Sequence, residues 1–259
     1  MSHPDKRLGK NRGGYFGEII DLQGVLRDDL EAARKFGWEI ERLAVSDGLE
    51  LLAFHRAAKD QRRRFYLSAG IHGDEPAGPL AVRRLLQDND WPEDASLWIC
   101  PCLNPTGFPL NRRENADGVD LNRDYRDRQS AEVRSHINWL EKQPELDVTL
   151  CLHEDWESQG FYLYENGPAD GRAVGTKIID AVSRICPIDL SPVIEDRPAL
   201  GGVIRPDLDP AKRPQWPEAL YLLMHKTRRS YTLEAPSDYL LETRVAALVV
   251  ASRVVLNES

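Results

Sequence analysis

Apolar residues along this chain fall into short, strand-like runs separated by longer stretches with a helical rhythm, and the two alternate from about residue 60 to the end. The spacing predicts a helix over 28–36. Two alternating stretches, 38–45 and 49–55, read as a hairpin joined by the turn signal Ser46-Asp47-Gly48. The unbroken run Phe65-Tyr66-Leu67-Ser68-Ala69-Gly70-Ile71 predicts a buried strand. A helix over 76–89 follows, begun by Pro76, with Leu80, Val82, Leu85 and Leu86 on its apolar face. Further strands are predicted at 97–100, 147–152 and 230–233, and another at Phe161-Tyr162-Leu163-Tyr164. Helices are predicted over 130–143, where Ile137, Trp139 and Leu140 face inward, and over 172–185, 216–226 and 243–256. Residues 1–14 read as a flexible polar lead, and no internal repeat or low-complexity tract occurs.

Strands alternating with helices of this length imply an α/β fold: a mostly parallel mixed sheet between helical layers, an α/β/α sandwich. A chain of 259 residues with 41% hydrophobic content can bury one substantial core, so residues 15–259 are expected to form a single domain. In open α/β sheets the ligand crevice lies beyond the carboxyl ends of the strands. His72, Asn104, His153 and Glu234 each fall just after a predicted strand, so positions remote in sequence should meet at one sheet edge.

Charge narrows the partners. A formal net charge of −8 argues against nucleic acid or an anionic membrane, both of which demand a basic surface. The run Gln61-Arg62-Arg63-Arg64 reads as a solvated edge or turn beside a strand. No apolar stretch reaches the roughly 18 residues of a membrane span, and the polar start lacks the apolar centre of a secretion signal, so a cytoplasmic setting is expected. Cys100, Cys102, Cys151 and Cys186 fit that setting as small buried hydrophobes, because Cys-Pro-Cys lacks zinc-ribbon spacing.

The candidate chemistry begins with His72 and Glu75 in Gly70-Ile71-His72-Gly73-Asp74-Glu75-Pro76. An imidazole and a carboxylate three residues apart can grip one zinc ion at a strand-to-helix corner, where Gly73 permits a tight bend and Pro76 starts the helix. A catalytic zinc takes three protein ligands and keeps a position for water, and His153 completes that set. Taken singly, the spacing of His72 and Glu75 arises readily by chance, and His153 alone reads as a strand-end histidine satisfied by hydrogen bonds. Their order with the segments between them changes that reading.

From Asn104 the chain runs Asn-Pro-Thr-Gly, then Arg113-Glu114-Asn115-Ala116-Asp117-Gly118-Val119-Asp120-Leu121-Asn122-Arg123. With the earlier His-Gly-Asp-Glu, the later Leu152-His153 and a closing strand that ends in Glu234, this order resembles the zinc carboxypeptidase family. Within it the chain is similar to the compact bacterial branch that includes murein peptide amidases, over roughly residues 65–240. The resemblance implies one zinc ion held by His72, Glu75 and His153. It implies that Glu234 activates the metal's water and later protonates the leaving amine, and that Arg113 stabilises the oxyanion. It further implies that Asn122 and Arg123 bind the substrate's terminal carboxylate, while Asp120 stands behind His72 and orients its ring.

The resemblance thins before the closing strand, where the family carries a substrate-contacting tyrosine on a mobile loop. Between Gly201 and Met224 only Tyr221 is present, inside a predicted helix. Asp207 and Asp209 there read either as a pocket for a basic side chain or, more simply, as a proline-bounded surface loop. The acidic run Glu154-Asp155-Trp156-Glu157 reads as support or solvent-facing charge rather than a second metal site. The leading expectation is a metallocarboxypeptidase acting on peptides. Succinylglutamate desuccinylase and aspartoacylase are similar in their ligand pattern, so deacylation of an N-acyl amino acid is the alternative, as is a murein peptide substrate. A zinc-containing binding protein without turnover is the reading from another class. The sequence gives no oligomeric state.

Overall fold

The computed structural model describes residues 6–46, 48–60, 62–168, 173–207 and 209–258, and every structural statement here concerns those residues. In chain order the elements are α1 (Leu22–Lys35), β1 (Glu39–Ser46), β2 (Leu49–Arg56), β3 (Arg63–Ala69), α2 (Ala77–Asp88), β4 (Ala95–Cys100), α3 (Ala131–Leu140), β5 (Val148–Asp155), β6 (Tyr162–Asn166), α4 (Gly175–Val182), β7 (Val193–Ile194), β8 (Arg197–Leu200), β9 (Val203–Ile204), α5 (Glu218–His225), β10 (Ser230–Pro236) and α6 (Leu241–Glu258).

The strands with unbroken apolar runs take the centre of the sheet, because only there are both faces covered. β4, β3, β5 and β10 lie side by side and parallel, and every residue of β4 is buried. The hairpin β1–β2 extends one flank antiparallel. On the other flank β6 runs antiparallel to β10, and β9, β8 and β7 follow outward, giving the order β1-β2-β4-β3-β5-β10-β6-β9-β8-β7. Asp47 of the predicted hairpin turn and Gln61 of the basic run lie outside the described residues. Arg62 and Arg63 of that run are ion-paired, with Asp60 at 2.9 Å and Asp94 at 2.6 Å.

Alternate residues of each central strand feed two cores, as the period-2 geometry of a strand requires. Phe65, Leu67, Leu150, Leu152, Tyr231 and Leu233 point into one layer with α1, α2, α4 and α6. Tyr66 and Cys151 point into the other, with Val133, Ile137 and Trp139 of α3 and Tyr221 and Leu222 of α5. Each Leu, Ile or Phe buried this way contributes about 1.5–3 kcal/mol relative to exposure. The sandwich thus has the architecture its sequence rhythm implies, with a parallel centre and margins that are antiparallel apart from the β6–β9 pair.

Several boundaries differ from expectation for local reasons. α1 begins at Leu22, well before residue 28, because the Asp21 carboxylate accepts from Gly24 N at 2.9 Å and caps it. β5 and β10 run past their apolar stretches, so His153 and Glu234 lie inside strands rather than after them. Of the predicted 172–185 helix, Arg172 lies outside the described residues and the helix proper spans Gly175–Val182. Of the polar lead, residues 1–5 lie outside the described residues. Beyond them, Leu8 N donates to Asp238 O at 2.7 Å, and the Asp238 carboxylate accepts from Arg7 Nε at 3.0 Å, Gly9 N at 3.1 Å and Lys10 N at 2.9 Å. No helix among the described residues is long and apolar enough to cross a membrane.

Candidate metal centre

Three pieces of local structure bring the sequence-predicted residues to the carboxyl ends of the parallel strands. The first is the corner after β3, where the Gly73 position has no room for a side chain. A Cβ there would stand 2.2 Å from the carbonyl carbon of Gly107. Asn104 holds the facing loop: its N donates to Gly70 O at 2.8 Å, its Oδ1 accepts from Gly107 N at 2.9 Å, and its Nδ2 donates to Arg113 O at 3.2 Å. The second is the parallel pairing of β10 with β5, whose register sets Glu234 directly beside His153. The third is the short 3-10 turn Leu121–Arg123, capped by Asp120.

Together these place one donor atom from each of His72, Glu75 and His153 within 4.8 Å of the others, all three residues being buried. His72 Nδ1 lies 2.5 Å from Glu75 Oε1 and His153 Nδ1 lies 3.0 Å from Glu75 Oε2. The two rings stand 5.0 Å apart. Glu75 Oε2 also accepts from Glu154 N at 3.1 Å. On the far side of the His72 ring, Nε2 sits 3.3 Å from Asp120 Oδ1 but makes no aligned hydrogen bond among the described residues. A proton on Nε2 facing Asp120 leaves the Nδ1 lone pair directed at Glu75. Two imidazole nitrogens and a carboxylate then converge in a buried space, a donor set that a divalent cation satisfies. Among the described residues the donor set therefore fits a metal ion.

The electrostatics agree with convergence of opposite charges. Burial would raise the Glu75 carboxyl, but His72 and His153 outweigh it and hold it well below the usual range. Burial would lower His72, but Glu75, followed by Asp120, pushes it up. Asp120 is likewise held down against burial by His72 and Arg113.

Around this point stand the remaining predicted residues. Arg113 Nε donates to Asp120 Oδ2 at 2.7 Å, so the Asp120 carboxylate addresses His72 and Arg113 with different oxygens. Asp120 Oδ1 also accepts from Asn122 N at 2.9 Å. Asn122 Oδ1 accepts from Glu218 N at 2.9 Å, which leaves its NH2 end without a hydrogen-bond partner among the described residues and on the cavity wall. Arg123 is exposed, lines the same cavity, and donates Nη1 to Asn122 O at 2.9 Å. Glu234 keeps some surface in the cavity, yet the protein around it is deep enough that burial, despite His153, pushes its carboxyl well above the ordinary range.

All of these groups open into one cavity of about 950 Å³. Its walls carry further residues. Tyr162 and Tyr164 of β6 line it, as does Tyr15 from the N-terminal segment, whereas Tyr221 is buried against Tyr125 and is absent from its lining. Tyr162 OH donates to Asp155 Oδ2 at 3.1 Å. Asp207 and Asp209 do line the cavity, but the Asp209 carboxylate pairs with Lys212 at 3.3 Å. Glu195 reaches in from the tip of the β7–β8 hairpin, where Glu195 and Asp196 both take positive φ, at 50° and 54°, to make the tight turn. Arg197 and Arg213 complete the outer wall. Residues of β7–β9 were invisible beforehand because strands of two to four residues carry no readable period.

Comparison with known proteins gives a consistent picture. Residues 61–186 match the family described as the succinylglutamate desuccinylase/aspartoacylase catalytic domain. Carboxypeptidase SOL1 of Arabidopsis thaliana is 32% identical over 128 residues, which is 41% of this chain and 25% of that protein. Murein peptide amidase A of Escherichia coli (strain K12) is 32% identical over 103 residues, 40% of this chain and 42% of that protein. The chain thus spans less than half the length of either relative. Among solved structures, a provisionally assigned metallopeptidase from Shewanella baltica OS155 superposes with a TM-score of 0.78 over 91% of both chains at 24% identity. A metallo-carboxypeptidase from Burkholderia cenocepacia gives 0.65 over 88% of this chain and 66% of that one, at 17% identity. The chain therefore resembles the succinylglutamate desuccinylase/aspartoacylase catalytic domain in sequence over residues 61–186 and has the metallocarboxypeptidase fold.

Proposed function

We propose that this chain is a zinc-dependent hydrolase that cleaves an amide bond next to a free carboxylate, as a metallocarboxypeptidase does when it releases a C-terminal residue. The observation that carries the reading is the convergence of His72, Glu75 and His153 beside Glu234 at the carboxyl ends of parallel strands. These three residues would hold one zinc ion, which supplies Lewis acidity and lowers the pKa of water to about 7.

The chain's own residues divide the rest of the work. Glu234, set beside His153 by the pairing of β10 with β5, takes a proton from the attacking water and returns it to the leaving amine. Arg113, fixed by Asp120, turns its guanidinium toward the oxyanion that develops on the substrate carbonyl. Arg123 offers a planar fork and Asn122 its free NH2 to the substrate carboxylate. Asp120 orients the His72 ring from behind. Arg197 and Arg213, which line the cavity without an ion-pair partner among the described residues, favour substrates that carry additional negative charge. The buried thiols of Cys100, Cys102 and Cys151 suit a reducing, cytoplasmic setting.

The family match over residues 61–186 favours a second reading, removal of an acyl group from an N-acyl amino acid, and the murein peptide amidase relative extends it to wall-derived peptides. A single panel separates them: C-terminally varied peptides, N-acyl amino acids and a murein tripeptide, each with and without zinc. Release of a terminal residue supports the carboxypeptidase reading, and activity confined to acylated amino acids replaces it with the deacylase. Glu234→Gln should retain zinc and lose about 10²–10⁴-fold in rate; unchanged turnover in that variant would falsify the assignment of the base.

A further inference from the structure

Glu154 touches every segment that carries a candidate ligand or base, although no reaction step requires it. Its side chain is wholly buried. Its N donates to Glu75 Oε2 at 3.1 Å, and it directly follows His153. Its Oε1 accepts from Ala77 N at 2.5 Å, at the first residue of α2 and two beyond Glu75. Its Oε2 accepts from Ser237 Oγ at 3.3 Å, three residues beyond Glu234.

The contact with Ala77 fills a specific need. Pro76 stands at the N-cap of α2 and provides no side-chain cap, so the helix entrance has unmet N–H donors beside Glu75. A carboxylate from a neighbouring strand takes that place and also favours the positive end of the helix. A buried carboxylate must itself be matched, and Arg244 of α6, with no exposure at all, donates Nη1 to Glu154 and Nη2 to Glu18. Tyr15, which lines the cavity, lies close enough to Arg244 and Glu154 to feel both charges. The N-terminal segment is therefore tied to the same point as the ligand-bearing strands.

Replacing a buried ion pair by apolar residues of similar volume is often neutral for stability, so stability alone does not account for four segments meeting on one carboxylate. We propose that Glu154 and Arg244 are positioning residues for the metal centre: Glu154 fixes Glu75, His153 and Glu234 relative to one another, and Arg244 holds Glu154 in place. The inference rests on the metal-dependent reading above and adds residues that touch neither substrate nor metal.

The test uses zinc affinity of the full-length, metal-stripped protein, measured by chelator competition, alongside its melting temperature. Glu154→Gln, Arg244→Met and Arg244→Lys are compared with Ile178→Ala, a core truncation in α4 that destabilises the same helical layer without contacting this network. Removing a partner that orients a ligand costs about 10–100-fold in metal affinity. That loss is expected for Glu154→Gln and Arg244→Met, with partial recovery in Arg244→Lys and none of it in Ile178→Ala. Should Arg244→Met not fold, Glu154→Gln and Arg244→Lys carry the comparison. If Glu154→Gln binds zinc as tightly as the wild type, or loses no more than Ile178→Ala, the pair is merely structural and the proposal fails. A wild-type protein that binds no zinc instead overturns the parent reading.

Discussion

Gly73→Ala is the sharpest perturbation of the site that leaves every candidate ligand in place. The added Cβ would lie 2.2 Å from Gly107 C, 2.6 Å from Gly107 Cα and 2.6 Å from Phe108 N, all backbone atoms that no rotamer change can move. Ordinary contact begins at 3.4 Å, so the His72 corner and the 104–113 loop must separate by about 1 Å. That loop is the one that Asn104 ties to Arg113, and Gly73 N itself donates to Arg113 O at 3.4 Å. Separation therefore shifts His72 and Arg113 relative to each other. Overpacking of this kind costs about 1–3 kcal/mol, and about 2–4 °C of melting temperature accompanies each kcal/mol in a chain of this size. A misplacement of about 1 Å at a catalytic group lowers rate by about 10²-fold. Calorimetry and zinc-dependent turnover read the two effects separately. Gly37→Ala is the control, since its φ of +73° makes a side chain strained but nothing lies within 4 Å of the new Cβ. It should cost about 1 kcal/mol or somewhat more and leave turnover intact. A Gly73→Ala protein with wild-type melting and wild-type turnover refutes the claim that the corner and loop are locked backbone to backbone.

Three other outcomes follow from the same geometry. Asp120→Asn removes the carboxylate shared by His72 and Arg113, so zinc affinity should fall about 10–100-fold by chelator competition; unchanged affinity would mean the ring is oriented without it. Arg123→Ala should raise KM far more than it lowers kcat on substrates with a free carboxylate, and should have little effect on amidated analogues in steady-state assays. His136, wedged between Tyr66 OH at 2.9 Å and Tyr125 OH at 2.7 Å, has its pKa lowered by burial from 6.5 to about 3. In that window the unfolded chain binds a proton that the folded one does not, so the contribution to stability is full above 6.5 and is lost as pH falls toward 3. Urea unfolding across the window should show His136→Phe with a shallower loss on acidification than wild type, and parallel curves contradict the assignment.

The parts of this molecule that were legible in sequence are those whose cause is local or whose order is fixed. Strand runs such as Phe65–Ile71 and Leu97–Cys100 are apolar because both sheet faces are covered, and that condition is written in consecutive residues. His72 and Glu75 were legible because the corner between them is three residues long. Asn104, Arg113, Asp120 and Asn122 were legible through their order along the chain, and the hydrogen bonds that join them stay within one stretch of loop. By contrast, the β5 and β10 strands continue past their apolar residues, since His153 and Glu234 are set side by side by the register of a parallel ladder rather than by their own side-chain pattern.

Glu154 shows why the rest stayed hidden. Its partners Ala77, Ser237 and Arg244 are drawn from distant parts of the chain, Arg244 reaches it only where α6 closes over the sheet, and Glu18 joins through Arg244. In sequence the residue sits in an acidic run beside Asp155 and Glu157, which read alike. In the fold they part company: Glu154 is buried and matched by a guanidinium, Asp155 faces the cavity, and Glu157 is exposed. The alternation of a strand accounts for the separation, because neighbours one residue apart point to opposite faces. The His153 side chain turns to Glu75, so the Glu154 side chain leaves β5 on the other face, toward α2 and α6, where the Arg244 guanidinium meets its carboxylate. Arg244 is thus the counterpart of a carboxylate that follows a candidate metal ligand on a buried strand, and its charge is legible only once the pleat of β5 is known.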